Sequence, residues 1–167
     1  MTAQSTYNLV RAIGFQGGLA DSSHCDVTSM RNDEAASMAF GHAVKHDSLS
    51  DDSAAGILTA ITGERLAGIV MKIDSYSDTQ LDDVGVKAGQ HLNVLQKGRI
   101  YVACEDGCNV GDPLHIRAVA GGGEIAGACR ASSDGVDTID ATTIGRWRTA
   151  AAAGEIAVLE VDFSRSL

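Results

Sequence analysis

The sequence predicts an all-β protein, a β-sandwich or barrel preceded by an extended N-terminal arm. Three observations carry this reading. Apolar and polar residues alternate in run after run, as where Ala157, Leu159, Val161 and Phe163 face one way and Glu160 and Asp162 the other. A period of two marks strands with one buried face. Nineteen glycines punctuate these runs, against a single proline, as expected where turns and bulges separate short strands. Helical spacing is never sustained: residues 150–153 are helix-prone, but Gly154 stops them within a turn.

The elements follow in order. The first thirty-odd residues are polar and poorly periodic. The stretch Gly14-Phe15-Gln16-Gly17-Gly18-Leu19-Ala20-Asp21, followed by Ser22-Ser23-His24, reads as extended chain. The arm is assigned to residues 1–38 and a single β domain to residues 39–167. Phe40, His42 and Val44 alternate with Ala39, Gly41 and Ala43, which fits a strand. The competing reading is a helix capped by Asn32, with Ala35, Met38 and Ala39 at helical spacing; Gly41 argues against extending it.

Further strands are expected over residues 57–62, ending at Gly63, and over 67–73, where Ile69, Met71 and Ile73 share a face. Residues 92–95 and 100–103 flank a polar connection ending in Gly98, and predict a hairpin. Gly111-Asp112-Pro113 reads as a turn, and residues 114–118 begin another run. Residues 124–130 follow the glycine loop 121–123. Residues 142–148 carry Ile144 and Trp147, and residues 155–163 close the chain.

With 167 residues, 44% of them apolar, the chain can bury a real core. Aromatics are only 4%, so that core must be built from Ala, Val, Ile and Leu. The net charge is -9, and the 13 basic residues form no run. Binding nucleic acid needs a clustered basic face, so no nucleic-acid partner is expected. No run approaches the ~18 apolar residues of a membrane span, so no membrane partner is expected either. The N-terminus lacks the apolar core of a signal peptide. The expectation is synthesis in the cytoplasm, with Cys25, Cys104, Cys108 and Cys129 reduced.

No motif points to a reaction. Cys104 and Cys108 with His115 lack the tight paired spacing of a zinc site. The acidic stretch Asp74, Asp78, Asp82 and Asp83 lacks the glycine and closing glutamate of a calcium loop. Asp47, Asp51 and Asp52 read the same way, as solvated acids. Gly121-Gly122-Gly123 lacks the Lys-Ser/Thr ending of a phosphate loop, and no Gly-x-Ser-x-Gly elbow occurs. No catalytic, cofactor-binding or metal residue is therefore assigned. Trp147, between Arg146 and Arg148, fits either a binding hot spot or a tryptophan closing the edge of the core.

Taken in order, several segments resemble the capsid cement, or head decoration, proteins of tailed bacteriophages. They are Gln16 to Asp21, then Ser29-Met30-Arg31-Asn32-Asp33-Glu34, then Met38 to Val44 with its Phe-Gly step. Gly68-Ile69-Val70, the Gly89 to Val102 segment with Lys97-Gly98-Arg99, the Gly111-Asp112-Pro113 turn and the closing Gly154 to Val161 run follow. Gln-Gly-Gly and Ala-Phe-Gly stand here where the family pattern has Pro-Gly and Pro-Phe-Gly.

The resemblance implies a β-sandwich or jelly-roll-like domain on the outer capsid face, bound across neighbouring major capsid protein subunits. It also implies self-association, as a homodimer or homotrimer at local symmetry axes. The expected contact segment runs from Gly14 to Glu34. Phe15 and Leu19 would be apolar anchors, Arg31 would pair a carboxylate, and Asp21 and Glu34 would lie in the same surface; Trp147 is a further candidate for an oligomer contact. Two alternatives stay open. One is a cupin-like barrel binding a metal or small ligand, for which His42, His91 and His115 lie on candidate strands; the other is a phage tail module.

Overall fold

A computed structural model of the chain describes residues 14–48, 51–73, 80–81 and 85–165. Most of the acidic stretch 74–83 lies outside the described residues, as do residues 1–13. The described chain is all-β, with only short 3-10 turns at Gly135–Asp137 and Phe163–Arg165 beside the strands. No helix among the described residues is long and apolar enough to cross a membrane.

The strands are β1 (Leu19–Asn32), β2 (Met38–Ala39), β3 (Ala43–Ser48), β4 (Asp51–Gly56), β5 (Leu66–Val70) and β6 (Gly85–Val86). They continue as β7 (His91–Ala103), β8 (His115–Arg117), β9 (Cys129–Arg130), β10 (Thr138–Asp140), β11 (Gly145–Trp147) and β12 (Ile156–Asp162). The main sheet runs β1-β4-β3-β5-β7-β12-β11, and β1 also pairs with β7. That extra pairing closes β1, β4, β3, β5 and β7 into a ring, leaving β12 and β11 as a flap. A second sheet, β10-β8-β9, packs beside the flap, and β2 pairs with β6.

Strand β7 organises both parts. β1 runs antiparallel along one of its edges. On the other edge β5 pairs with Val94 and Leu95, and β12 with Lys97 to Ala103. The hairpin expected around Gly98 is replaced by this one continuous strand. Asp26 and Val27 are adjacent on β1, yet they face Lys97 and Leu95 on β7. Gln96 is thus the extra residue of a β-bulge, and beyond it the alternation changes parity. Before the bulge Leu92 and Val94 enter one core; after it Ile100, Val102 and Cys104 enter the other, together with Leu95. Gly98 then sits buried under β1 at φ 138°, and a Cβ there would lie 3.2 Å from the His24 carbonyl oxygen. The polar break Gln96-Lys97-Gly98-Arg99 imitates a turn in sequence because the bulge puts Lys97 and Arg99 on the solvent side.

The two cores lie on opposite faces of β5, all five of whose residues are buried. Ala67 and Val70 join Met30, Met38, Val44, Val86, Leu92 and Val94. Leu66 and Ile69 join the larger core with Leu95, Ile100, Leu114, Ile116, Trp147 and Leu159. The thin aliphatic composition expected from the sequence is what fills both.

Other expectations are revised. Residues 19–32, placed in the extended arm by the sequence, are a full strand of the main sheet. Stripping residues 1–30 would therefore leave an edge of β7 bare, not a folded body without an arm. Asn32 caps no helix. Its Oδ1 accepts the Glu34 N–H at 3.0 Å, and its Nδ2 donates to the carbonyls of Ala36 and Val86 at 2.9 and 3.0 Å. This buried amide holds a turn that joins β1 to the small β2-β6 sheet. Residues 57–62 form no strand, and 124–130 contribute only the short β9.

The second sheet is fastened by charge. Arg117 on β8 is fully buried; its guanidinium meets Glu105 at 2.8 Å, Asp134 at 2.9 Å and Glu124 at 2.8 Å. Arg130 on β9 shares Glu105 and Asp134, and Asp106 takes the backbone N–H groups of Ala131 and Ser132. The planar fork of arginine suits such multiple carboxylate pairing.

Candidate functional site

The described residues hold no group of three or more His, Cys, Asp or Glu that could bind a metal, so the candidate site is built from exposed side chains held by rigid strands. The most ordered surface feature is a charged ladder on the outer face of β1, β7, β12 and β11. The bulge in β7 creates it by turning Lys97 and Arg99 outward. Their cross-strand partners on β12 are Asp162 and Glu160, and Glu160 stands in turn opposite Arg146 on β11.

Glu160 is the hub. Arg148 reaches it with two nitrogens at 2.6 and 2.9 Å, and Arg99 at 2.7 Å. Arg146 stands 3.8 Å away. These guanidiniums, Arg148 foremost, hold the carboxyl at a pKa of about 2, against the usual 4.5. Arg99 also meets Asp21 on β1 at 3.4 Å, and Lys97 meets Asp162 at 3.0 Å. Beside the ladder lies a cleft of about 500 Å³, bounded by His24 on β1, by Gly98 and by the turn Thr142 to Gly145.

The sequence-predicted contact residues fall into two groups. Phe15 and Arg31 are exposed. The Phe15 ring lies 5.6 Å from the Lys72 ammonium, which also stands 5.7 Å from Phe40. Arg31 pairs within the chain with Asp33 at 2.5 Å. The remaining three have internal partners. Leu19 is half-buried against the larger core, Asp21 joins the ladder, and Glu34 Oε1 accepts the Ile57 N–H at 3.0 Å. The segment is thus not one continuous surface. Trp147 is sealed at 0% exposure, its indole N–H donating to the Arg130 carbonyl at 3.3 Å. It is a core residue and is closed to any oligomer contact.

The ladder is absent from the sequence expectations. Its signal is there in principle: Arg-x-Arg at 146–148, Lys-x-Arg at 97–99 and Glu-x-Asp at 160–162 are period-two charges on strands. Only the register between strands converts them into pairs.

Metal and nucleophile candidates remain separate. The described residues contain no group of three or more His, Cys, Asp or Glu able to hold a metal. His42 is fixed near the Ala126 carbonyl at 3.4 Å, and burial lowers its pKa. His91 opens β7 opposite Arg31, and His115 lies on β8 opposite Arg130 and Asp140. Burial raises the thiols of Cys104 and Cys108, and pushes Cys129 up to about 12. Such protonated, enclosed thiols behave as small core residues.

Comparison with known proteins adds two findings. A chain in the capsid of Myoviridae phage XM1 superposes with a TM-score of 0.67 at 17% identity, over 95% of this chain and 98% of that one; it shares the fold. No curated protein sequence matches. The family model described as structural cement protein (E217 gp24/Pam3 gp6) matches residues 3–162, so it runs through both cores and the ladder. The chain therefore belongs to the structural cement protein family, and its role is to stabilise a phage capsid.

Proposed function

We propose that the protein seats on the outer face of the expanded head and bridges neighbouring major capsid protein subunits. It does so without chemistry: no catalytic residue, cofactor or metal enters the reading, nor does nucleic acid or membrane. The observation that supports it is the family match over residues 3–162, which takes in the whole folded body rather than one grafted motif.

The physical logic is linkage. A protein that binds the assembled shell and not its dispersed subunits stabilises the shell by RT ln(1 + [L]/Kd), about 2.7 kcal/mol at a hundredfold excess over Kd. A rigid body with two packed cores loses little conformational freedom on docking, which leaves more of the contact energy for attachment. Self-association as a dimer or trimer at a local axis would let each unit grip several subunits, and effective concentration would then multiply modest contacts. Phe15 and Arg31 are the exposed members of the expected contact set, and they are proposed to meet the shell directly. Leu19, Asp21 and Glu34 are proposed to shape that surface from within.

The test is to saturate bare expanded heads with the purified protein and compare density maps with and without it. The reading expects added density that touches two capsid subunits at each site. Density resting on one subunit alone would remove bridging, and density inside the shell would remove the outer position.

A further inference from the structure

We infer that the cleft beside the ladder is a socket for an acidic side chain, carried by an exposed loop of the major capsid protein. This rests on the cement reading and names the surface through which it acts.

The argument begins with the distribution of charge. The chain carries 22 acidic and 13 basic residues, so its general surface repels an acidic partner. The ladder is a local exception, because its cleft is lined by as many cations (Lys97, Arg99 and Arg146) as carboxylates (Asp21, Glu160 and Asp162). Its acids are already engaged: Glu160 by Arg99 and Arg148, Asp162 by Lys97, Asp21 by Arg99. The unused hydrogen-bonding capacity belongs to the cations.

Arg146 is the clearest case. Its side chain is 58% exposed, and its one ionic contact is the 3.8 Å approach to Glu160. A guanidinium has five N–H donors in a planar fork that matches a carboxylate. Arg146 therefore reaches the cleft with that fork free. Lys97, 54% exposed, stands on the same wall with a single partner. Exposed Thr142 and Thr143 line the adjoining turn, and Thr143 adds a hydroxyl.

The cleft is also preshaped. β7 and β12 pair in register for seven residues along its floor, and β11 extends that pairing. Arg148 and Arg99 hold Glu160 in place, which fixes the position from which Arg146 extends. The β11–β12 register fixes the backbone from which Arg146 extends, so only its side chain has to order when a carboxylate docks. The size suits a side chain on a loop, not a folded element. A second copy of this acidic chain is the competing occupant. Charge disfavours it, because each copy would bring its excess of carboxylates against the other.

The experiment measures affinity of the full-length protein for bare expanded heads at low and high salt. The variants are Arg146→Glu, Lys97→Glu and Arg146→Lys, with sedimentation of each free protein run alongside. Trp147 fluorescence verifies folding; should Arg146→Glu not fold, Arg146→Ala and Lys97→Glu give the same reading. Expected is a loss of about tenfold or more for each charge reversal at low salt, shrinking as salt rises. Arg146→Lys should keep part of the affinity. Reversed variants that bind like wild type would overturn the socket while leaving the cement reading intact. A changed oligomeric state with unchanged shell affinity would also overturn it, and would give the cleft to a second copy. Wild-type protein that ignores the heads altogether would sink the cement reading and the socket with it.

Discussion

Arg146 lies in solvent and Trp147, the next residue, is sealed in the larger core; one step along β11 separates the two. Their roles call for different tests. Trp147→Ala removes a fully buried side chain and leaves a cavity beneath β12. It should cost about 3–5 kcal/mol, read as a lower midpoint in urea with little change in slope. A midpoint unchanged within error would mean that the indole is not part of the core. Glu160→Gln keeps the shape and removes the charge that three arginines face. Because folding depresses the Glu160 pKa from 4.5 to about 2, its contribution is complete above 4.5. It fades as pH falls and is gone below about 2. Wild type should exceed Glu160→Gln by roughly 1 kcal/mol at pH 7, since the group is partly exposed. The two melting curves should converge at pH 2. A gap that stays constant down to that pH would show that hydrogen-bond shape, not charge, is what the site needs. At this scale the sequence was only half legible. The Arg-Trp-Arg triplet shows that the central residue faces opposite its neighbours, but not which face is solvent. Phe15 looks like an apolar anchor and is indeed exposed, whereas Leu19, of the same appearance, is half-buried.

Among the elements, β7 carries the most consequence. Its bulge at Gln96 lets one strand serve two cores and sends Lys97 and Arg99 to the surface. Deleting Gln96 removes the extra residue and leaves plain alternation, with Leu95, Ile100 and Val102 still inward and Lys97 and Arg99 still outward. The expected result is a chain that still unfolds cooperatively by circular dichroism. A deletion variant that loses its cooperative melt would show that the local bend at Gln96, and not only the parity it sets, is required. This is also where sequence reasoning misses the topology. A bulge and a hairpin both interrupt an apolar run with polar residues and glycine; only the partner strand tells them apart. The closing strand β12 was legible because its alternation is unbroken over Ile156–Asp162. β1 was not, since five of its residues, Ser22 and His24 to Val27, are exposed and their pattern gives no inward face. Its strand character comes from the β7 edge it covers. The two buried arginines of the second sheet look like ordinary surface residues in sequence, because their carboxylates arrive from loops at 105–106, 124 and 134.

For the molecule as a whole, the all-β class and the aliphatic core were legible from period and composition. The closed ring was not, because it depends on β1 pairing with strands distant in sequence on both its edges. The family pattern was legible in order and spacing even where its prolines are lost, since Gln16-Gly17-Gly18 keeps the turn through Gly17 at φ 82°. The result is a stiff body with charged and apolar features spread over its outside, suited to gripping a larger assembly. The most direct measurement mixes purified protein with heads that lack it, counts bound copies, and records the temperature at which the shells open. The account predicts saturable binding in a fixed ratio to capsid subunits and an opening temperature that rises with occupancy. Folded protein that binds in that ratio and leaves the opening temperature unchanged would contradict it.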